Sequence, residues 1–77
     1  MSKKRTAVFD YSKLLGRIAE KSRIKKDCAD TAQMSETSIY KKLASKTSFT
    51  QTEILDLATD LEISTEEIGA YFFTVKV

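Results

Sequence analysis

Residues 31–46, TAQMSETSIYKKLASK, decide how the rest of the chain is read. Ser35 is a natural N-cap, because its hydroxyl can accept from a free N–H of a first helical turn. Ile39 and Leu43 follow at helical spacing and turn inward, while lysines collect at the end of the stretch. The spacing predicts a helix from Ser35 to Ala44 with a narrow apolar seam and a polar outward face. Whether that face is only solvated or recognises a partner depends on the scaffold around it.

Working outward, Cys28, Ala29 and Ala32 share one face of a short helix around residues 25–32. Two short helices about three residues apart, the second opening on a small polar residue, have the proportions of a helix-turn-helix, whose second helix enters the DNA major groove. Further upstream, Tyr11, Leu14, Leu15, Ile18 and Ala19 fall on one helical face, with Asp10 or Ser12 able to cap its start. Downstream, Thr50 with Glu53 and Ser64 with Glu67 both fit the S/T-x-x-E capping box. Ile54, Ala58 and Leu61 follow the first box, with Leu57 widening the stripe, and Ile68, Tyr71 and Phe72 follow the second. No stretch alternates with period two for long enough to propose a sheet, and the terminal FFTVKV has no strand to pair with.

The expected architecture is all-α, five short helices. Residues 1–9 form a flexible basic tail, 10–73 the folded domain and 74–77 a short C-terminal tail. The predicted core comprises Leu14, Leu15, Ile18, Cys28, Ile39, Leu43, Ile54, Ala58, Leu61 and Phe72. Phe73, Val75 and Val77 exceed what the last helix can bury and form a candidate self-association patch.

A chain of 77 residues is one small domain, and at that size only about 60% of the unfolded surface is buried, so a deep chemical cavity is not expected. Hydrophobic content of 42% and charged content of 31% are ordinary for a globular protein. No run of about 18 apolar residues spans a membrane, and no apolar segment follows the basic start to make a signal peptide. The single Cys28 cannot form an internal disulfide, which fits a reducing cytoplasm. Enzyme chemistry is not expected either. The chain has no histidine, no phosphate-binding glycine loop and no zinc-ligand spacing, and Cys28 lacks a base to activate it. No cofactor, metal or small-molecule ligand is implied.

The net charge of +2 divides unevenly. Residues 1–46 hold 12 Lys/Arg and 5 Asp/Glu, which is +7, while residues 47–77 hold 1 and 6, which is −5. Such asymmetry suggests a half that faces a polyanion.

The phrases DYSKLLGRIAEK, MSETSIYKKL and EILDLATDLEISTEEIGAYFF, in that order, resemble the Cro and repressor helix-turn-helix proteins of temperate phages. The likeness covers roughly residues 10–73 and is nearest to small single-domain Cro-like and antirepressor proteins of phages of Gram-positive bacteria. The family's aliphatic frame is matched by Ala29, Met34 and Ile39, but Gln33 stands where the family has its turn glycine. The resemblance implies a lambda-repressor-like domain. It places Ser35, Glu36, Thr37, Tyr40 and Lys41 toward the groove, and Lys25, Lys26, Ser38, Lys42 and Lys46 near backbone phosphates. Tyr40 either contacts bases or covers the rim of the core. Lys3, Lys4 and Arg5 either grip DNA as an arm or serve only solubility.

Two functions follow from the resemblance. The first is a Cro-like transcriptional regulator that occludes double-stranded operator DNA in a lysis/lysogeny switch, with weak homodimers reading two half-sites. The second is an antirepressor that sets the same face against the phage repressor protein. Glu36, which accepts from cytosine N4 but repels phosphate, suits either selective DNA reading or a protein partner.

Overall fold

Five α-helices and one turn of 3-10 helix succeed one another along residues 8–76, the part that this computed structural model describes. They are α1 (Ser12–Glu20), α2 (Lys25–Thr31), α3 (Glu36–Leu43), α4 (Gln51–Asp60), the 3-10 turn Thr65–Glu67 and α5 (Ile68–Phe72). The expectations placed on Lys3, Lys4, Arg5 and Val77 lie outside the described residues.

The helix starts follow the side chains that can satisfy free N–H groups. Asp10 accepts from the Ser12 N–H at 2.9 Å and from its hydroxyl at 2.6 Å, opening α1. Ser35 Oγ accepts from the Ser38 N–H at 3.1 Å. The Thr50–Glu53 box closes in both directions, at 3.1 Å to the Glu53 N–H and 2.8 Å back to the Thr50 N–H. Glu67 accepts from the Ser64 N–H at 3.4 Å, so the second box is looser. Asp27 reaches back to the Ile24 N–H at 2.9 Å, an acidic half-box that opens α2 although Ile24 has no oxygen to return.

All four longer helices end the same way. The residue after each C-cap takes a positive φ: Ser22 at 58°, Gln33 at 59°, Ser45 at 62° and Glu62 at 58°. The next N–H then bonds back across the last turn, Arg23 to Ile18 O, Met34 to Ala29 O, Lys46 to Lys41 O and Ile63 to Ala58 O, at 2.8–2.9 Å. These are Schellman exits, which usually employ glycine because a Cβ in the left-handed region costs roughly 1 kcal/mol. The chain's two glycines, Gly16 and Gly69, lie inside helices instead.

The core is a single cluster in which Leu14, Cys28, Ile39, Leu57, Leu61 and Phe72 are the largest fully buried side chains. Around it α2 packs on α3 and α4, and α5 packs on α1 and α4. An aromatic chain runs along one side: Tyr11 and Phe72 each meet Phe49 edge-on at 5.6 Å, and Phe9 bridges Tyr11 and Phe73 at 6.1 and 6.3 Å.

Two expectations about the core change. Leu15 is 39% exposed, because α1 buries the line Tyr11, Leu14 and Ile18 and leaves the i+4 edge of its stripe uncovered. Leu43 is only partly buried, at the end of α3. The terminal segment also has a partner after all. Val75 pairs with Phe9 in an isolated antiparallel bridge, flanked by Asp10 N–H to Thr74 O at 2.7 Å and Lys76 N–H to Val8 O at 2.8 Å. The Ser45 hydroxyl accepts from the Phe9 N–H at 3.0 Å, which ties this ribbon to the exit of α3.

Candidate functional site

The outward face of α3 carries Glu36, Thr37, Tyr40, Lys41 and Ala44, all exposed and spaced as one helical stripe. It holds one carboxylate and one ammonium. Ser35 and Ser38, expected at the groove and the phosphates, are engaged with each other: beyond the cap, the Ser35 hydroxyl donates to Ser38 Oγ at 3.0 Å.

The lysines expected at the groove and at the phosphates separate into three groups. Lys42 turns the other way. Its ammonium donates to Ser48 O at 2.8 Å and lies 3.2 Å from Glu53, the residue that caps α4. The physical cause is plain, since a neighbouring carboxylate and carbonyl outcompete solvent for the charge. Lys25 sits over the Tyr40 ring, 5.0 Å from its centroid, and Lys26 lies 3.8 Å from Asp30 one turn along α2. Lys41 and Lys46 make no ion pair among the described residues.

The charge asymmetry also has an internal destination. Lys21–Glu62 at 2.7 Å, Arg23–Asp60 at 3.0 Å and Lys42–Glu53 at 3.2 Å each join the basic half to the acidic half. Arg17 adds bonds to the carbonyls of Leu61 and Glu62, at 2.9 and 2.8 Å. Hydrogen bonding and charge from Arg23 hold the Asp60 carboxyl below its usual range, and Lys21 does the same for Glu62. For Glu53, burial pushes the carboxyl up, but the Thr50 N–H and Lys42 outweigh it and the net shift is downward. A good part of the first half's positive charge therefore serves the fold.

Beside the α3 face lies an open groove of about 360 Å³. Its walls are Leu15, Ile18 and Ala19 of α1, Ile24 of the connecting loop and Tyr40 of α3; Arg23, Lys25, Lys26 and Glu36 form the rim. Ile24 is 61% exposed and Tyr40 48% exposed. Reading the sequence did not single out Ile24 or Leu15 as surface-forming. The available signal was Ile24 itself, an aliphatic set between Arg23 and Lys25 and outside every helical stripe. Cys28 contributes no reactivity: it is buried, and burial first, then Asp60 and Asp27, pushes its thiol up. Among the described residues no group of His, Cys, Asp and Glu could hold a metal ion, and no helix is long and apolar enough to cross a membrane.

The whole of this architecture has a counterpart. The solution structure of the modulator of repression (MOR) of the temperate bacteriophage TP901-1 from Lactococcus lactis superposes with a TM-score of 0.73 at 37% identity, covering 91% of this chain and 95% of that one. No curated protein sequence matches the chain. Residues 7–75, which include every helix and the terminal bridge, match the family DUF739, described as a protein of unknown function. The chain belongs to the DUF739 family.

Proposed function

We propose that the protein regulates the lysis/lysogeny switch of a temperate phage as an antirepressor, docking the α3 face and its neighbouring groove on the phage repressor protein. The observation that carries this reading is the groove itself. Leu15, Ile24 and Tyr40 offer exposed apolar surface directly beside the helix that would otherwise read DNA. Aliphatic side chains gain nothing from phosphates, but the apolar area that a partner removes from water contributes about 25 cal/mol per Å². Tyrosine at the centre of such a patch is a typical anchor. Glu36 and Lys41 leave the α3 face without excess positive charge, and a solved neighbour is a modulator of repression. The repressor surface so covered would be its DNA-binding one, which would free the operator.

A Cro-like DNA reading keeps support from Thr37, Lys41 and Lys46, which are exposed on or just beyond α3. The two readings separate in one gel-shift series with the cognate repressor and operator DNA. Antirepressor action releases the repressor from the operator while this chain alone shifts DNA only weakly and without sequence preference. Tight, sequence-specific shifting by this chain alone, with slope in log salt, would establish the DNA reading in its place.

A further inference from the structure

We propose that a second copy of this chain docks, two-fold symmetrically, on the groove between α4 and the end of α5. This groove, of about 300 Å³, is lined by Gln51, Ile54, Leu55, Ile68 and Phe73, and shares no residue with the groove beside α3. Leu55 is 56% exposed and Phe73 54% exposed, so the patch carries protruding apolar side chains and the depression between them on one surface. A surface that holds both knob and hole is complementary to itself, which is what an isologous interface requires.

Charge identifies the occupant further. Across a two-fold axis a patch meets its own residues, so any charge there meets its like. No charged side chain lines this groove, whereas the one beside α3 carries Arg23, Lys25, Lys26 and Glu36. Gln51 is the only polar side chain in the lining, and its amide holds both donor and acceptor, so it can bond to its own image. Five side chains bury far less than the roughly 800 Å² per partner of a standard interface, so the dimer is weak, with a dissociation constant on the order of 10⁻⁴ M.

Sedimentation equilibrium of the whole chain tests this. The wild-type mass is expected to rise from 8.7 kDa toward twice that value as concentration approaches roughly 1 mM. Leu55→Glu and Leu55→Arg are expected to remain monomeric over the same range, with unchanged circular dichroism and only a small change in melting temperature because more than half of Leu55 is exposed. Gln51→Glu should weaken association several-fold. A wild type that stays monomeric, a mass that grows past the dimer, or charged variants that associate like wild type would overturn the proposal. Repressor binding by the Leu55 variants is expected to match wild type, so this result stands apart from that on the α3 face.

Discussion

Gln33 occupies the turn between α2 and α3 with φ at 59°, and its substitution by glycine is expected to stabilise the fold. A Cβ in that region costs roughly 1–2 kcal/mol, and the extra freedom glycine gives the unfolded chain offsets about half of that. Gln33→Gly should therefore raise stability by about 0.5–1 kcal/mol in chemical denaturation, with helical content unchanged. A loss of stability would mean that the glutamine side chain holds the turn. The backbone here adopts the conformation the missing glycine would have adopted, so the angle between α2 and α3 is set by the Schellman bonds of Gln33 and Met34, not by the residue type. Lys42 teaches the opposite lesson. A lysine on the helix after Ser35 reads from sequence as a phosphate contact, and only the fold reveals Glu53 and the Ser48 carbonyl beside it.

Among the elements, α3 depends chiefly on one side chain. Ile39 is 1% exposed and is the only fully buried residue of the helix, with the partly buried Leu43 beside the core one turn on, so it is the main anchor of α3. Ile39→Ala is expected to cost about 2–5 kcal/mol through lost transfer energy and the cavity left behind. A loss below 1 kcal/mol in thermal or denaturant unfolding would contradict that role. Elements were legible where their signals are local. Ser35, the Thr50–Glu53 box and the stripes of α1 and α4 each lie within one or two helical turns of sequence. The Phe9–Val75 bridge was not legible, because one residue pair per strand carries no periodicity and its partners are 66 positions apart. Leu15 was misread for a related reason. Spacing places it on the apolar stripe, but only the tertiary packing of α1, chiefly against α5, decides which edge of the stripe stays open. The same bridge ties Thr74 and Lys76 to the body, so a chain lacking residues 73–77 forfeits three backbone hydrogen bonds, these two and Phe73 N–H to Gly69 O, each worth about 1 kcal/mol. The C-terminal segment is part of the fold, even though Phe73 and Val75 remain exposed.

At the scale of the whole molecule, the two oppositely charged halves hold each other, and stability should follow pH accordingly. Asp60, Glu62 and Glu53 all have carboxyl groups held below their usual range in the folded state. Their contribution is complete above the unfolded carboxylate values, near 4, and is lost as pH falls through the lower folded values. The fold is expected to be insensitive to pH between about 5 and 8 and to weaken below about 4. Asp60→Asn should flatten that acid limb of the stability curve, and an unchanged limb would show that the Arg23 pair adds nothing. These pairs also explain why the charge count pointed toward a polyanion. Composition records how many lysines and arginines a half contains, but not that Arg17, Lys21, Arg23 and Lys42 bond to the other half.

Binding of a repressor protein by the α3 face and its apolar groove, as proposed, is open to calorimetric titration of the cognate repressor into this chain. Wild-type protein is expected to form a stoichiometric complex with a negative heat-capacity change, the mark of buried apolar surface. Ile24→Ser and Tyr40→Ala should each weaken it by about tenfold or more, equivalent to at least about 1.4 kcal/mol. Neither side chain is buried in the core, so the variants should stay folded. No complex with the repressor, or a complex whose affinity neither substitution changes, would rule out docking through this face.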